Sequence, residues 1–422
     1  MRILFTGNVG ESLPPPYAGI PKRALLLARA MREAGHTVGI AFVYRHEHED
    51  DIGAGAEYFF DYARQPTKFA KIFFIVRQFF INPFLYVSLV LRYVRMHRFL
   101  SRECLVNAAH GVMLDGVVRQ FRPDIMLSEA AIIRTFMAAQ IARRHNIPIV
   151  FDTYAEVHDA SILKLRGGES HRTAYWTEFL KIPDLIIAPS YYCGKGPEVY
   201  TPPGKVKVIY AGIEFEKYRS IALTKLQARA KFGLSEDSFL VIAVGSLAAR
   251  KGHDHMLKAI AMLPASIDAH AVICGPGDAS WLKDLARELG ILERVHFFSG
   301  LSEDELIALY RAVDLYCDAS NTPRACLGMS VTEAMAVSMP IVAYDTAGLP
   351  EIVKNNENGY LVPLDNIQKL SEAMKTVSEL SPAEYARLAE NSVQLAGKLV
   401  DLKTCAKEMI FTLEEVYRVR NH

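Results

Sequence analysis

The 422-residue chain predicts an α/β protein built from two doubly wound parallel sheets. Apolar runs of strand length alternate with helix-period segments along most of the chain. The runs are almost continuously apolar, as in parallel strands that helices cover on both faces. They occur in two series, which the Thr201-Pro-Pro-Gly204 turn separates. We therefore expect two Rossmann-like domains that face each other across a cleft, over residues 1–204 and 205–400.

Each series predicts five strands with helices between them. The first series has strands Ile3–Thr6, Val38–Tyr44, Asp124–Ser128, Pro148–Asp152 and Leu185–Pro189, with its clearest helices at Lys22–Ala34 and Ile132–His145. The second has strands Leu240–Gly245, Ala271–Gly275, Val295–Ser299, Leu315–Ala319 and Ile341–Tyr344, with helices His255–Leu263, Ser280–Leu289, Asp304–Ala312 and Val331–Val337. After Leu364 three further helices are predicted, over Gln368–Val377, Pro382–Ala396 and Asp401–Val419.

Composition and charge narrow the class of protein. Half of the residues are apolar and 23% are charged, which is typical of a globular protein with full cores. The net charge of +1 lacks the basic character of nucleic-acid-binding proteins, so we expect no nucleic-acid partner. Six scattered cysteines without a C-x-x-C pair argue against disulfides and zinc clusters and favour a reducing, cytoplasmic setting. The strand-like beginning of the chain does not have the pattern of a signal peptide.

Residues 59–102 break the alternation of strands and helices. They hold eight Lys and Arg against one acid, with aromatic and aliphatic clusters between the charges. The longest uncharged run, from Gln78 to Leu91, is too short to span a bilayer. Basic and aromatic residues on an amphipathic helix are typical of a helix lying in the lipid headgroup layer. The pattern predicts a helical insertion that binds a membrane surface; the alternative is an apolar helical hairpin packed on the sheet, with a solvated basic face.

A candidate phosphate site follows the first strand of the second series. There Gly245-Ser-Leu-Ala-Ala-Arg-Lys-Gly252 joins the strand to a helix. The two glycines let the backbone approach a ligand closely, and Arg250 and Lys251 place two cations beyond the strand end. Such cations suit a diphosphate leaving group, on which negative charge builds as its bond breaks. Adjacent Arg-Lys pairs are also common on solvated surfaces.

A second candidate lies about 80 residues later, between Ala325 and Tyr344. The turn Leu327-Gly328-Met329 leads into a helix opened by Ser330, with Glu333 expected in its first turn. Unpaired amides and a partial positive charge at a helix start suit a phosphate group. Glu333 would repel phosphate but could accept hydrogen bonds from the neighbouring hydroxyls of a ribose. Phosphate beside ribose indicates a nucleotide; alternatively, Glu333 only favours the helix dipole.

The first domain offers two weaker signals. The Pro- and Gly-rich run Pro14–Gly19 precedes a helix and could close on phosphates, or it could be an ordinary loop. The strand Pro148–Asp152 ends in a polar cluster, beyond the carboxyl end of the strand, where doubly wound sheets bind their ligands. Its candidate bases are Asp152, Tyr154, Glu156 and His158. We expect at least one of the four to touch a substrate, although each alone could be structural.

Taken together, these motifs resemble the retaining family-4 glycosyltransferases of the GT-B fold. The resemblance covers most of residues 1–400 and is most specific over 239–365. It rests on Val244-Gly-Ser-Leu247 with Arg250-Lys-Gly252, Gly275-Pro-Gly277, Arg294–Gly300, Glu333-Ala-Met-Ala336, Pro340-Ile-Val-Ala343, Gly348–Val353 and Asn358–Val362, and in the first domain on Ala18-Gly19 and Gly35–Val38.

The resemblance implies transfer of a sugar from a nucleotide-diphosphate sugar, with retention at the anomeric carbon and without a metal or another cofactor. Donor binding is expected on the second domain and acceptor binding on the first, against which the last helix, 401–420, would pack. By position, the donor-side residues are Gly19, Ser246, Lys251, Gly300, Ala325, Gly328, Met329, Ser330 and Glu333. The acceptor-side residues are Asp152, Tyr154, Glu156 and His158, and the candidate catalytic residues are Arg250, Lys251, His158 and Arg324.

The chain departs from the family pattern at three positions. Where the family has two glutamates spaced E-x7-E, Ala325 replaces the first, which ordinarily meets the donor sugar. Ser246 stands where an arginine is common, with Arg250 as a stand-in, and the first domain has only Tyr154 or His158 for the expected histidine. Arg324 suggests a donor with its own negative charge, such as a uronic acid, because arginine binds carboxylates in a bidentate fashion. If the protein turns over neutral and acidic donor sugars equally, and the Arg324→Ala variant does the same, that hypothesis is eliminated.

The leading hypothesis is a glycosyltransferase, peripheral on the cytoplasmic membrane face, whose acceptor is a saccharide or a lipid-linked saccharide. The alternative is a catalytically silent or atypical protein of the same fold that binds a nucleotide sugar, which the alanine at 325 favours. A third reading, a sugar-nucleotide epimerase, differs because it would release no nucleoside diphosphate when an acceptor is present.

Overall fold

The computed structural model describes residues 1–7, 19–43, 57–60, 68–97, 100–130, 133–158, 168–220, 222–322 and 326–421. These residues divide into two compact units, Met1–Tyr210 with Lys403–His422 and Ala211–Leu402. Each unit contains one parallel sheet covered by helices, so the predicted fold class of two doubly wound parallel sheets is confirmed. The sequence places the boundary at residue 204, whereas the first unit extends to Tyr210 because one more strand follows that turn.

The first sheet has seven strands in the described part of the chain, in the order β3-β2-β1-β4-β5-β6-β7. The strands are β1 Arg2–Gly7, β2 Thr37–Val43, β3 Glu57–Phe60, β4 Ile125–Glu129, β5 Ile149–Asp152, β6 Leu185–Ala188 and β7 Val206–Val208. The helices of this unit are α1 Gly19–Glu33, α2 Lys68–Ile81, α3 Pro83–His97, α4 Arg102–Phe121, α5 Ile133–His145, α6 Gly168–Phe179 and α7 Tyr191–Glu198. Strands β1, β4 and β5 are almost completely buried, as their apolar sequences require.

The second sheet has six strands in the order β10-β9-β8-β11-β12-β13. They are β8 Phe239–Val244, β9 Ala269–Cys274, β10 Val295–Phe298, β11 Leu315–Asp318, β12 Ile341–Tyr344 and β13 Gly359–Val362. The helices are α8 Phe215–Arg219, α9 Lys225–Phe232, α10 His253–Ala261, α11 Ser280–Glu288, α12 Glu303–Ala312, α13 Met329–Ala336, α14 Leu349–Ile352, α15 Ile367–Ser378 and α16 Pro382–Leu399. A last helix, α17 Leu402–Asn421, places Cys405, Ala406, Met409 and Leu413 in the core of the first unit.

The segment 59–102 is only partly helical. Its first residues, 59 and 60, end strand β3, which pairs with β2 at the edge of the sheet; the rest of the described segment is α2, α3 and the first residue of α4. The side chain of Asn82 accepts a hydrogen bond from the Leu85 amide at 3.1 Å and so starts α3, with Pro83 as its first residue.

Helices α2 and α3 both pack on α4 through one face. Phe74, Leu85, Tyr86, Leu89 and Tyr93 lie in the core of the first unit. Among the described helices, none alone has the length and apolar character needed to cross a membrane. Ile72–Ile81 and Pro83–Met96 meet that requirement only together, with a bend of 115° between them.

Candidate functional site

Each sheet reverses its direction of growth beside its first strand, and loops with polar residues lie at both reversals. In the second sheet the chain fills β8, β9 and β10 towards one edge and then continues from β11 on the other side of β8. In the first sheet β1 and β4 are the corresponding neighbours. Ligands of doubly wound sheets bind beyond the carboxyl ends of the strands at such a point. The candidate ligand sites are therefore the loops after β8 and β11 in the second sheet and the loops after β1 and β4 in the first.

Lys251 lies over the carboxyl end of β8. A Cβ atom placed on Gly245 would lie 3.5 Å from the Lys251 Cε and 3.8 Å from its Nζ. The next strand ends close by, because a Cβ on Gly275 would lie only 1.9 Å from the Gly245 carbonyl oxygen. The ammonium group is thus held beside bare glycine backbone, which leaves room for a ligand to approach.

The loop after β8 packs directly on the loop after β11. Gly252 has a φ of +65°, and a Cβ there would lie 1.9 Å from the Ala319 carbonyl oxygen, so only glycine fits. The Asn321 amide donates to the Arg250 carbonyl oxygen at 3.1 Å, while the Arg250 side chain is exposed. These backbone contacts fix the segment that carries both predicted cations against the end of β11.

The start of α13 is tied to the same strand ends. Its N-cap, Gly328, has a φ of +75° and makes no side-chain capping hydrogen bond. The Gly328 carbonyl oxygen accepts hydrogen bonds from the amides of Val331 and Thr332. Met329 and Ser330 are the first two residues of the helix, where backbone amides have no partner within the helix. The Tyr316 hydroxyl donates to the Ser330 Oγ at 2.7 Å and lies 3.5 Å from the Val244 carbonyl oxygen of β8.

The sequence suggests that Glu333 lies in the first turn of its helix. This is wrong, because α13 begins at Met329 and Glu333 is its fifth residue. The carboxylate is 4% exposed, and the Tyr310 hydroxyl lies 3.2 Å from its Oε2. Burial, and then the charge of Glu333, raises the pKa of Tyr310 well above its usual value and that of Cys274 to about 11. A buried carboxylate surrounded by hydroxyl groups is equipped to accept further hydrogen bonds from a polyol.

The structure therefore brings Lys251, the start of α13 and Glu333 to one end of the second sheet. Ser246 lies in the same loop, half-buried, and its carbonyl oxygen is 3.2 Å from the His253 Nε2; burial lowers the pKa of that imidazole. Gly300 follows β10, two strands away from β8, and a Cβ there would meet no atom within 4 Å. Its predicted place among the donor-side residues stays a prediction.

The loops of the first sheet enclose a buried ionic cluster. Gly7 ends β1, and a Cβ on it would lie 2.3 Å from the Glu129 carbonyl oxygen at the end of β4. The Arg23 Nη1 lies 2.6 Å from the Asp152 Oδ2, and both side chains are buried. The Tyr154 hydroxyl donates to the Glu129 Oε2 at 2.7 Å and lies 3.4 Å from the Arg23 Nη1. One cation and two carboxyl groups thus share the carboxyl ends of β4 and β5.

Burial dominates the protonation of this cluster. It raises the pKa of Glu129 to about 8, with the Asp152 charge as the next cause. It also raises the pKa of Asp152, against the opposing charge of Arg23. For Arg23 burial is the largest cause and works to lower the pKa, but the neighbouring Asp152, Tyr154 and Glu129 together outweigh it and the pKa is raised. Because only Asp152 makes an ion pair with Arg23, the geometry assigns the negative charge to Asp152 and a proton to Glu129 at neutral pH.

The remaining predicted acceptor-side residues are Glu156 and His158. Glu156 borders the cluster: its Oε2 accepts from the Tyr154 amide at 2.8 Å, and its charge adds to the causes that raise the pKa of Glu129. The His158 ring stacks on Tyr192 with centroids 4.4 Å apart, and its Nε2 lies 2.7 Å from the Tyr192 carbonyl oxygen. His158 therefore contacts α7, and its catalytic role stays a prediction.

Three further predictions concern positions for which the structure gives little. Gly19 is the first residue of α1. Arg324 and Ala325 lie outside the described residues, as does the Pro14–Ala18 run. Within the described parts of the chain, no three His, Cys, Asp or Glu side chains are placed so that they could hold a metal ion.

Sequence reasoning missed Arg23, Glu129 and Tyr310. Glu129 ends a buried strand next to the reversal of the first sheet, so the rule that singled out Asp152 also applies to it. The predicted strand stopped one residue earlier, at Ser128. Arg23 and Tyr310 lie inside helices, at positions that look like an ordinary basic residue and an ordinary core aromatic residue, and no sequence signal distinguishes them.

Comparison with known proteins identifies relatives for both halves of the chain. The family model described as Glycosyltransferase Family 4 matches residues 17–217, and the model described as Glycosyl transferases group 1 matches residues 224–394. A D-inositol 3-phosphate glycosyltransferase of Mycolicibacterium gilvum is 32% identical over 196 residues, which are 45% of this chain and 43% of that protein. A GDP-mannose-dependent alpha-(1-6)-phosphatidylinositol monomannoside mannosyltransferase of Mycobacterium tuberculosis is 26% identical over 197 residues, 45% of this chain and 51% of that protein.

These alignments span about half the length of the curated relatives. A solved structure is similar over the whole fold: the Anabaena protein HepE in complex with UDP superposes with a TM-score of 0.75 at 18% identity, covering 98% of this chain and all of that one. The two family models together cover residues 17–217 and 224–394, which hold all strands of the two sheets except β1 and most of the helices, and the chain therefore belongs to the family-4 glycosyltransferases of the GT-B fold.

Proposed function

We propose that the protein is a retaining glycosyltransferase that moves a sugar from a nucleotide-diphosphate sugar to a saccharide or lipid-linked acceptor. In this reaction the bond between the anomeric carbon and the diphosphate oxygen breaks and a bond to an acceptor oxygen forms. The acceptor loses a proton, and a nucleoside diphosphate leaves. Of the observations above, the one that carries the proposal is the meeting of the Lys251 loop and the Gly328–Ser330 helix start beyond β8 and β11.

Each part of that site has a role in the proposed reaction. Lys251 would neutralise the diphosphate, on which charge accumulates as it leaves, and the amides of Met329 and Ser330 would bind the same phosphates. Glu333 would accept hydrogen bonds from the ribose hydroxyls. These groups would bind and stabilise the leaving group; that the reaction needs no metal stays a prediction from the sequence.

The acceptor side is proposed at the first unit. The buried cluster of Asp152, Tyr154 and Glu129 lies at the corresponding reversal of its sheet, and doubly wound sheets bind ligands there. The exposed aromatic residues of α2 and α3 support an acceptor at a membrane surface, with the protein peripheral on the cytoplasmic face. The names of the mycobacterial relatives include a phosphatidylinositol mannoside, which is a lipid acceptor, and a soluble inositol phosphate, so lipid-linked and free acceptors both belong in the assay.

A nucleotide-binding experiment tests the donor site. Thermal melting with UDP, GDP and ADP, and with their sugar conjugates, should show one base raising the melting temperature, because a ligand at 100 times its Kd stabilises the folded state by about 2.7 kcal/mol. Lys251→Ala should remove most of the shift given by the diphosphate and leave the response to the free nucleoside unchanged. Lys375→Ala, an exposed lysine on α15, is the matched control. No shift with any nucleotide at millimolar concentration would refute the donor site.

The catalytically silent alternative is favoured by the alanine at position 325 and by the lack of a clean match to the histidine of the family. Under this alternative the protein binds a nucleotide sugar without releasing the diphosphate, and Ala325→Glu should then create turnover. A wild-type protein that releases nucleoside diphosphate with an acceptor extract excludes it. The anomeric configuration of the product, read by NMR coupling constants, then decides whether the configuration is retained.

A further inference from the structure

Tyr310, on α12, contacts the carboxylate that the proposed function assigns to the ribose. Its hydroxyl lies 3.2 Å from the Glu333 Oε2 and 3.3 Å from the Ser330 carbonyl oxygen, so one proton serves two acceptors on α13. Ser330 and Glu333 are thus held by a single side chain from another helix. Both belong to the helix whose start is the proposed phosphate site.

The position of the Tyr310 hydroxyl is fixed by its surroundings. The side chain is 1% exposed, and its ring lies 6.2 Å from that of Tyr316, which itself bonds to Ser330. Helix α12 starts at a capping box formed by Ser302 and Glu305 and buries Ile307 and Leu309 in the second unit. A packed ring on an anchored helix has few rotamers, so its hydroxyl is a rigid hydrogen-bond donor.

The electrostatics keep Tyr310 a donor. Burial, and then the Glu333 charge, raises the pKa of the Tyr310 hydroxyl, which therefore stays protonated at all physiological pH values. The same two causes, in the same order, raise the pKa of Tyr218, which is also hydrogen-bonded to Glu333 and whose hydroxyl lies 3.4 Å from the Glu303 Oε1. A phenol that cannot ionise must direct its proton to an acceptor, and a carboxylate is the stronger acceptor of the two within reach.

We propose that Tyr310 is a positioning residue for the donor: its hydroxyl holds the Glu333 carboxylate in the orientation that recognises the two ribose hydroxyls of a nucleoside diphosphate. This inference rests on the proposed function and adds to it a residue that decides between ribose and deoxyribose. Tyr310 and Tyr218 both bond to this carboxylate, and a carboxylate oriented by such donors presents its remaining lone pairs in a fixed plane, which suits a vicinal diol. Without Tyr310, the carboxylate keeps its charge and its contact with Tyr218 but loses one of the hydrogen bonds that orient it.

The test compares each nucleoside diphosphate with its 2′,3′-dideoxy analogue by titration calorimetry. For UDP or GDP, whichever binds the wild-type protein, the dideoxy analogue should bind about tenfold more weakly, as expected when a hydrogen-bonded carboxylate loses its partners. In Tyr310→Phe this ratio should fall to roughly threefold or less, while the affinity for the dideoxy analogue stays the same. When Tyr310→Phe is added to the Glu333→Gln variant, the ratio of the two affinities should not change further, because Tyr310 acts through Glu333.

A matched control separates positioning from packing. The Tyr385 side chain is half-buried in the second unit, and its hydroxyl donates to the Asp314 carbonyl oxygen at 2.7 Å, so Tyr385→Phe should lower stability and leave the ratio at its wild-type value. Should Tyr310→Phe fail to fold, Tyr310→Met tests the same contact, since a flexible apolar side chain can fill the space but has no hydroxyl; it should show the same low ratio.

The outcomes distinguish this inference from the proposed function. A wild-type ratio in Tyr310→Phe, or in Tyr310→Met if that variant is used, overturns the positioning role and leaves the donor site intact. A wild-type protein that binds neither UDP, GDP nor ADP overturns both.

Discussion

Arg23, Asp152 and Glu129 place two carboxyl groups and one guanidinium in a fully buried part of the first unit. A single cation can compensate a single anion, and removing a second, uncompensated carboxylate from water costs several kcal/mol. The contact of 2.6 Å between Arg23 and Asp152 takes up the cation. Glu129 escapes the cost by keeping its proton, in line with its pKa of about 8. The Tyr154 hydroxyl, which donates to the Glu129 Oε2 and lies 3.4 Å from the Arg23 Nη1, links Glu129 to Arg23.

Glu129→Gln should therefore change how stability depends on pH. In the folded protein Glu129 holds a proton up to about pH 8, whereas in the unfolded chain it loses that proton near pH 4.5. Between these values the folded state binds more protons, so the contribution of Glu129 to stability falls as pH rises, by up to about 1.4 kcal/mol per pH unit. The glutamine variant lacks this loss, and its stability relative to the wild-type protein should increase from pH 5 to pH 8, measured by urea unfolding.

An exposed glutamate of the same unit supplies the control. Glu178 is 64% exposed, and Glu178→Gln should follow the wild-type curve across that pH range. Parallel curves for Glu129→Gln and the wild-type protein would show that Glu129 is ionised in the folded state, and the assignment of charge within the cluster would be wrong.

The sequence locates part of this cluster and misses the rest for a physical reason. Asp152 and Tyr154 follow a strand, and the carboxyl ends of parallel strands are where ligands bind, so a rule of chain geometry suffices to select them. Arg23 reaches Asp152 from helix α1, across about 130 residues of sequence. That contact depends on how α1 packs on the sheet, which hydrophobic periodicity does not encode beyond the face that is buried.

At the level of elements, the strands predicted from continuous apolar runs all exist, and the three that were missed lie at or next to sheet edges. Strand β7 is half-buried throughout and has a lysine at its centre, and β3 and β7 form the two edges of the first sheet. Strand β13 forms an edge of the second and begins with a glycine. Edge strands are covered on fewer sides, so their sequences need not be continuously apolar.

Helices α2 and α3 leave an unusual amount of apolar surface exposed. Phe69, Phe73, Phe80 and Phe84 are 85%, 70%, 76% and 89% exposed. Phe73, Arg77 and Phe80 are spaced so that they share one face of α2, and Arg77 is exposed as well. Aromatic rings and cations on one helix face are suited to the headgroup layer of an anionic membrane.

Replacing three of these rings should weaken membrane binding. We expect the wild-type protein to float with vesicles that contain anionic phospholipid, and Phe73→Ser, Phe80→Ser and Phe84→Ser combined to reduce the bound fraction by more than about tenfold. Each exposed phenylalanine that enters the acyl boundary contributes roughly 1.5–3 kcal/mol. Raising the salt concentration should weaken binding of the wild-type protein, because Arg77 and Arg95 are exposed cations near the rings.

The control replaces apolar residues that are equally exposed elsewhere on the first unit. Val199 and Val419 are 75% and 80% exposed, and Val199→Ser with Val419→Ser should bind vesicles as the wild-type protein does. If the triple phenylalanine variant floats as well as the wild-type protein, the rings do not enter the bilayer, and the exposed face of α2 and α3 must have another role.

For the whole molecule, the chain enters the second unit at Ala211 and returns to the first at Lys403. The sequence predicts two domains because the strand pattern repeats, but the repeat does not fix the boundary: β7 follows the Pro-Pro-Gly turn and still pairs with β6. The return of α17 follows from long-range packing, since Met409 and Leu413 join a core with Ile3 and Phe5 from the other end of the chain. The first unit therefore depends on both termini.

Met409→Ala should destabilise the first unit and spare the second. Met409 is completely buried in the core that α17 shares with β1, and truncating a buried methionine to alanine costs about 2–5 kcal/mol. The two tryptophans allow the units to be read separately, because Trp176 lies in the first and Trp281 in the second. In a Trp281→Phe background, the fluorescence of Trp176 should report a lower urea midpoint for Met409→Ala, whereas in a Trp176→Phe background the midpoint from Trp281 should stay constant.

Val419→Ala, at an 80% exposed position on the same helix, should shift neither midpoint measurably. Equal shifts of both midpoints would mean that the two units unfold as one cooperative body, and the division of the chain into two separately stable parts would then be wrong.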